Sequence, residues 1–236
     1  MNAPVVYVLF ALIGGALSTE VVLPDNLKPS VYDLSITVNL PPVGADIGNE
    51  TTLESGKVKI DIIVVKPTST ILLHGEELYD VTVLFVGREF AFITPHIENG
   101  TIRIEAPYML HTGELIILEI DYRFVLRLDQ KGIYRATYSN LGELHHFALA
   151  QFVPNHARRV VPCFDDVKFP AVWRLTVEAP EVYNSFTNAA PLSTVSNGGI
   201  KKTVFKHSER IPPSHLNIIV GDYDPNYCVS KSKTDQ

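Results

Sequence analysis

Residues 150–180 bring together side chains that many enzymes use for chemistry, beginning AQFVPNHARRVVPCFDD. A cysteine beside a histidine can serve as a nucleophile and its base, here Cys163 with His156. Two adjacent carboxylates, Asp165 and Asp166, could divide acid and base roles. The first question the sequence raises is whether this segment is catalytic or is the structural corner of a domain.

The residue types around these groups favour the structural corner. Cys163 lies between Pro162 and Phe164, a setting typical of a buried, unreactive thiol. Paired aspartates more often accept backbone N–H groups in a turn or bind a nearby arginine, here Arg158 or Arg159. The sequence has no G-x-S-x-G motif and no glycine-rich phosphate loop. We therefore assign no catalytic residue to this chain.

A metal site is not predicted either. The 236 residues contain no H-E-x-x-H, C-x-x-C or H-x-H motif. His145 and His146 are adjacent in a strand-like segment, so their side chains point to opposite faces and cannot share a metal. Only scattered residues could form a site, and we expect no cofactor in this chain.

The overall charge argues against a nucleic-acid partner. The formal net charge is −6, and basic residues cluster only in pairs such as Lys201-Lys202. Such a chain lacks the basic stripe that a phosphate backbone requires. A composition of 46% hydrophobic and 19% charged residues is that of an ordinary globular protein.

The N-terminus predicts secretion. An apolar run from Val5 to Leu17 precedes Ser18, and it is too short to span a bilayer as a helix. We interpret residues 1–18 as a cleavable signal peptide, with a buried N-terminal strand as the alternative. In a secreted or cell-surface chain, the sequons at Asn49 and Asn99 become candidate glycosylation sites, because both lie in turn-like sequence.

Hydrophobic residues recur with a period of two, which is typical of strands with one buried face. The pattern is clearest in four segments, 32–38, 58–64, 116–126 and 173–177. The only helical candidate is about one turn at residues 155–160. Many short strands separated by turns predict an all-β fold, a twisted antiparallel β-sandwich.

Three further sequence segments are distinctive: GIYRATY at 132–138, FALAQFVPNHARRVVPCFDD at 147–166 and HLNIIVGDYD at 215–224. Together they resemble the aminopeptidase N-type (gluzincin) zinc metallopeptidases. Two further segments, LPDNLKPSVYDLSITVNL and SGKVKIDIIVVKPTSTILLHGEEL, are similar to the first strands of that family. The resemblance covers nearly all of residues 19–225, in order, and leaves 226–236 as a polar tail.

The resemblance implies the large, saddle-shaped N-terminal β domain of such an enzyme. In the family, G-A-M-E-N and the zinc-binding H-E-x-x-H belong to a catalytic domain that follows, and this sequence contains neither. Zinc is therefore expected only in that catalytic domain. The residue that the β domain contributes to substrate binding maps onto Gln151, whose neutral amide can both accept and donate hydrogen bonds. Asp166 and Val167 stand where the family has Glu and Pro.

From these observations we expect an extracellular β domain that helps to bind peptide N-termini when joined to a catalytic domain and that has no peptidase activity alone. Any membrane association would come from segments outside this chain. The alternative is a stand-alone binding module that kept the fold and lost the enzyme. A large apolar face left for a catalytic domain would distinguish the first from the second.

Overall fold

The computed structural model describes residues 21–223, so the expected signal peptide and the tail at 226–236 lie outside the described residues. Two short 3-10 helices are present, at Ala157–Arg159 and Pro213–His215. The fifteen strands are β1 (Leu27–Thr37), β2 (Thr52–Val64), β3 (Thr68–His74), β4 (Tyr79–Val86), β5 (Phe90–Ile93), β6 (His96–Glu98), β7 (Thr101–Leu110), β8 (Leu115–Leu126), β9 (Gly132–Asn140), β10 (Glu143–Gln151), β11 (Val172–Pro180), β12 (Asn184–Thr187), β13 (Pro191–Asn197), β14 (Ile200–Phe205) and β15 (Ile218–Gly221). The all-β prediction is confirmed.

The period-two pattern identifies the buried faces correctly. On β8, the alternate residues from Ile116 to Leu126 are all buried, while Glu119 and Asp121 face outwards. The same alternation holds on β1, β2 and β11. Each strand therefore contributes one apolar face to a shared core, and the burial of these side chains is the main source of stability.

Three sheets enclose that core. The largest has eight strands in the order β13-β14-β11-β1-β2-β8-β4-β5; a four-stranded sheet runs β12-β15-β10-β9, and a three-stranded sheet runs β3-β7-β6. Buried residues from all three sheets form one hydrophobic cluster. Pairing is antiparallel except between β1 and β11, which run parallel. These two strands are more than 130 residues apart in the sequence, and no local sequence pattern predicts that they pair.

A stacked aromatic pair joins the core to the polar segment at 150–166. Tyr32 of β1 lies opposite Trp173 of β11, and their rings stack with centroids 4.1 Å apart. The Tyr32 hydroxyl accepts a hydrogen bond from the backbone N–H of Phe164, at 3.1 Å. The polar segment is thus fixed to the centre of the large sheet.

Within residues 21–223, no helix is long and apolar enough to cross a membrane.

Candidate functional site

Gln151 is the last residue of β10, in the four-stranded sheet, and its side chain is exposed. It lies opposite Gly132, the first residue of β9. The chain then turns sharply: Phe152 enters the core, the Val153–Pro154 peptide bond is cis, and the His156 N–H donates to the Phe152 carbonyl at 2.8 Å. Gln151 therefore lies at the end of an inner strand of the sheet, next to a turn anchored in the core.

Gly132 makes this arrangement possible. Its φ of +80° lies in the left-handed region, which favours glycine. A Cβ at this position would stand 3.0 Å from Cγ2 of Val160 and 3.3 Å from Cβ of Arg159. The turn that follows Gln151 thus packs directly over the backbone of Gly132. The predicted helical turn at 155–160 is confirmed as the 3-10 helix at Ala157–Arg159.

Arg158 and Asp165 form the buried centre of the polar segment. The Nε of Arg158 donates to Oδ2 of Asp165 at 3.0 Å, and its backbone N–H donates to the same oxygen at 3.1 Å. A third bond joins a terminal guanidinium nitrogen of Arg158 to the Asp165 carbonyl at 3.0 Å. The side chains are only 9% and 1% exposed. This carboxylate neutralises a buried arginine and closes a turn, a structural role.

Cys163 and Asp166 also have structural partners. The backbone of Cys163 exchanges two hydrogen bonds with His74, at 2.8 and 3.1 Å, and Asp165 N–H donates to Nδ1 of His74. Asp166 accepts a hydrogen bond from the N–H of Lys168 in a tight turn. Both uses of the aspartate pair that the sequence allowed are present: Asp165 binds an arginine and also accepts a backbone N–H, and Asp166 closes a turn.

Cys163 is fully buried, as its flanking residues predicted. Burial raises the pKa of its thiol well above the ordinary value, and the charge of Asp165 raises it further, so the thiolate is disfavoured. His156 lies in the turn, half-buried, where burial and the charge of Arg159 lower its pKa. Neither group has the properties of an activated nucleophile–base pair.

A network of ion pairs lies beside Gly132. Arg159 binds Glu76 and also Glu77, the latter at 2.9 Å. Arg127 binds Glu77 and Asp129, and its hydrogen bonds lower the pKa of Asp129 to about 2, against a smaller opposing effect of burial. The network holds the ends of β8 and β9 against the turn below Gln151. The individual charges were visible in the sequence, but their pairing was not.

The outer face of the four-stranded sheet, which we call the β10 face, carries apolar side chains up to Gln151. Along β10, the alternate residues Phe147 and Leu149 are half-buried and precede Gln151 on the same side. Leu149 pairs with Tyr134 of β9 on one side and with Ile219 of β15 on the other, and Ile219 pairs in turn with Phe186 of β12. All four residues are half-buried. These side chains form a continuous apolar row across all four strands of the sheet.

A polar cluster stands at the other end of the β10 face. His145 Nδ1 binds one oxygen of Asp222, and the Tyr138 hydroxyl donates to the other at 3.0 Å. The rings of Tyr138 and His145 stack with centroids 4.9 Å apart. Burial opposes ionisation of Asp222, but these two hydrogen bonds outweigh it and lower its pKa. His146 points to the opposite, buried face and binds the Ala45 carbonyl, so the two histidines diverge as predicted.

The remaining predicted sites lie apart from Gln151 in the fold. Asn49 is exposed in the loop between β1 and β2, and Asn99 is exposed in the turn between β6 and β7 with φ of +51°. In the part of the chain that the structure describes, no three His, Cys, Asp or Glu side chains are grouped so as to hold a metal ion.

Comparison with known proteins gives a consistent result. The sequence model of the peptidase M1 N-terminal domain family matches residues 28–214 of this chain. Aminopeptidase N of Haemonchus contortus is 27% identical over 227 residues, which are 92% of this chain but 23% of that protein. Aminopeptidase M1 of Arabidopsis thaliana is 28% identical over 210 residues, 86% of this chain and 23% of the relative.

Human endoplasmic reticulum aminopeptidase 1 is 27% identical over 220 residues, 89% of this chain and 22% of the relative. The chain thus spans less than a quarter of the length of the relatives it matches, and the matched segment contains the whole polar stretch around Gln151. Family match, relatives and all-β fold agree, and the chain belongs to the family of peptidase M1 N-terminal domains.

Proposed function

We propose that residues 19–225 are the N-terminal β domain of an aminopeptidase N-like enzyme and that Gln151 binds the N-terminal residue of the peptide substrate. The observation that carries the proposal is the position of Gln151 at the rim of the apolar β10 face. A half-buried apolar row in a water-soluble domain favours coverage by a second domain. Gln151 would then lie at the edge of that interface, where a substrate can enter.

The chemistry of Gln151 suits the first residue of a peptide. Its amide oxygen accepts a hydrogen bond from a substrate ammonium, and its amide nitrogen donates to a carbonyl. Because the side chain is neutral, it adds no charge to the reacting group. This chain supplies no zinc ligands by motif, so the bond-breaking step belongs to the catalytic domain, where zinc would activate the attacking water.

The proposal is tested in a chimera that joins this chain to the catalytic domain of a relative. Gln151→Ala should lower kcat/KM by roughly 5- to 150-fold, corresponding to the loss of one hydrogen bond worth about 1–3 kcal/mol. Gln151→Glu keeps the acceptor and loses the donor, so it should recover part of the loss. The matched control is Asn197→Ala, an exposed amide at the end of β13.

The isolated chain provides the second half of this test. Gln151→Ala should change its free energy of unfolding by about 1 kcal/mol or less, because the side chain is exposed. An unchanged kcat/KM in the chimera would contradict the role of Gln151. Unfolding of the isolated variant would instead assign Gln151 to the structure alone.

We also propose that the protein is secreted or displayed at the cell surface, after cleavage of residues 1–18. The support is the apolar run ending in Ala16-Leu17-Ser18. Mass spectrometry of protein collected from the medium of expressing cells should find an N-terminus near Thr19. Collected protein that retains Met1 would contradict the proposal.

A further inference from the structure

One corner of the outer face of the eight-stranded sheet carries two highly exposed aromatic rings. Elsewhere the outer face carries ion pairs, such as Lys57–Asp121 at 3.4 Å, and less exposed aliphatic side chains, such as Ile63 and Leu115. At the β5 edge it carries Phe90 and Phe92, which are 76% and 86% exposed. Exposed phenylalanines in a pair are unusual on the surface of a monomer.

The apolar corner extends inwards from β5. In register, Phe90 lies opposite Val86 of β4, and Phe92 lies opposite Leu84. Val86 in turn lies opposite Ile117 of β8. These three neighbours are half-buried, so the two rings continue an apolar surface that crosses three strands. We call this surface the β5 patch.

The patch borders a free strand edge. β5 is the last strand of its sheet, and among the described residues no strand pairs with its outer edge. Proteins commonly protect such edges with lysine, proline or a bulge. The sequence Phe90–Ile93 contains no charge and no proline. In the described part of the chain, the outer edge of β5 therefore offers unpaired backbone hydrogen-bonding groups next to the two exposed phenylalanine rings.

The geometry points to a second copy of this chain as the occupant: we propose that β5 pairs with β5 of the partner copy, antiparallel, about a two-fold axis at Ala91. In an antiparallel pair, directly opposite side chains lie on the same face. With Ala91 opposite the partner's Ala91, Phe90 lies opposite the partner's Phe92 and Phe92 opposite the partner's Phe90. This register gathers all four rings on the outer face.

Charge is compatible with this pairing. The charged turn before β5, Arg88-Glu89, lies at opposite ends of the joined strands in the two copies, so like charges do not face each other. A two-fold axis also makes the contact self-limiting, because each copy uses its only free β5 edge and the assembly stops at two.

The interface would be small. A buried aromatic side chain covers about 150–250 Å², so even complete burial of the exposed part of four rings would remove no more than roughly 500–850 Å² from water. Rings on the outer face keep part of this area in water, so the total, with backbone pairing added, falls below the lower limit of stable specific interfaces, about 1,000 Å². We therefore expect a weak dimer whose population rises with protein concentration.

Sedimentation equilibrium of the full chain across a wide concentration range tests the proposal. The wild type should shift from monomer to dimer, and Phe92→Lys should weaken the dimer by at least about tenfold in Kd, because it places a charge on the paired edge. Leu141→Lys is the matched control, since Leu141 is fully exposed in the β9–β10 turn, and it should dimerise as the wild type does. A wild type that stays monomeric throughout, or equal dimerisation of Phe92→Lys, would overturn the proposal.

A cross-link tests the register itself. Opposite residues in an antiparallel pair have Cα atoms about 4.5–5.5 Å apart, within the range that a disulfide requires. In a Cys228→Ser background, Ala91→Cys should form an intermolecular disulfide on mild oxidation, and Leu141→Cys should not. Equal cross-linking of both variants would show random collision and exclude the two-fold pairing. A dimer without an Ala91→Cys cross-link would likewise refute this register.

Discussion

Removal of the Arg158 guanidinium should be among the most damaging single changes in the polar segment. Arg158→Met keeps the length of the side chain but leaves the buried Asp165 carboxylate without its cation. Loss of one partner from a buried ion pair costs about 3–5 kcal/mol, because the remaining charge is uncompensated. Native domains are stable by about 5–15 kcal/mol, so the variant should fold but only marginally.

The expected size of the effect can be measured by two methods. For a domain of about 150–250 residues, each kcal/mol lowers Tm by about 2–4 °C, so Arg158→Met should lower Tm by roughly 6–20 °C. Urea unfolding can be followed by the fluorescence of Trp173, the single tryptophan, which is fully buried. The urea midpoint should fall while the slope with denaturant stays constant.

Two controls separate burial from charge. Arg174 pairs with Asp33 on the surface, where the side chains are 57% and 37% exposed, so Arg174→Met should cost less than about 1 kcal/mol. The double variant Arg158→Met with Asp165→Asn should cost less than the sum of the two single changes, because no charge is then left unpaired. A cost below about 1 kcal/mol for Arg158→Met would refute the structural role given to this pair.

Three further predictions follow from other parts of the fold. Cys163 should react with iodoacetamide only when urea unfolds the chain, because it is buried and its thiol pKa is raised. Peptide mass mapping measures the labelling rate of each cysteine. If Cys163 in the folded protein is labelled at a rate close to that of Cys228, the prediction is wrong. The pKa of Asp129 is lowered to about 2 from an ordinary 3.8, so its pairing with Arg127 stabilises the fold above pH 3.8, and this contribution is lost as the pH falls through about 2. Asp129→Asn should therefore be less stable than the wild type at pH 7, and the difference in the free energy of unfolding should disappear in acid. A difference that stays constant with pH would be inconsistent with the pairing. In a eukaryotic secretory host, Asn49→Gln and Asn99→Gln should each remove one endoglycosidase-sensitive mass increment, and an unchanged mass would exclude that site.

Local patterns predicted the parts of this fold that local physics decides. Strand alternation identified the buried faces of β1, β2, β8 and β11, and the residues flanking Cys163 indicated its burial. Local sequence patterns did not predict which side chains form ion pairs with each other. From the sequence, either Arg158 or Arg159 could form an ion pair with Asp165. In the folded chain Arg158 forms this pair, and Arg159 binds Glu76 and Glu77 instead.

The parts that could not be predicted depend on contacts between distant segments. The parallel pairing of β1 with β11 places Tyr32 on Trp173, 141 positions apart in the chain. The cluster of Tyr138, His145 and Asp222 forms only when the residue after β15 meets the β9–β10 hairpin. The polar segment at residues 150–166 is a structural corner built around a buried ion pair, with Gln151 exposed beside it.

The proposed function requires a catalytic domain that covers the β10 face, with Gln151 at its rim. Hydroxyl-radical footprinting tests this directly. Oxidation of Tyr134, Phe147 and Phe186 should be measured by mass spectrometry in the isolated chain and in the chimera, at a concentration where both are monomeric. If the catalytic domain covers the β10 face, these three rings should be protected in the chimera, while Phe90 and Phe92 should react equally in both proteins. Equal oxidation of Tyr134, Phe147 and Phe186 in the two proteins would contradict it.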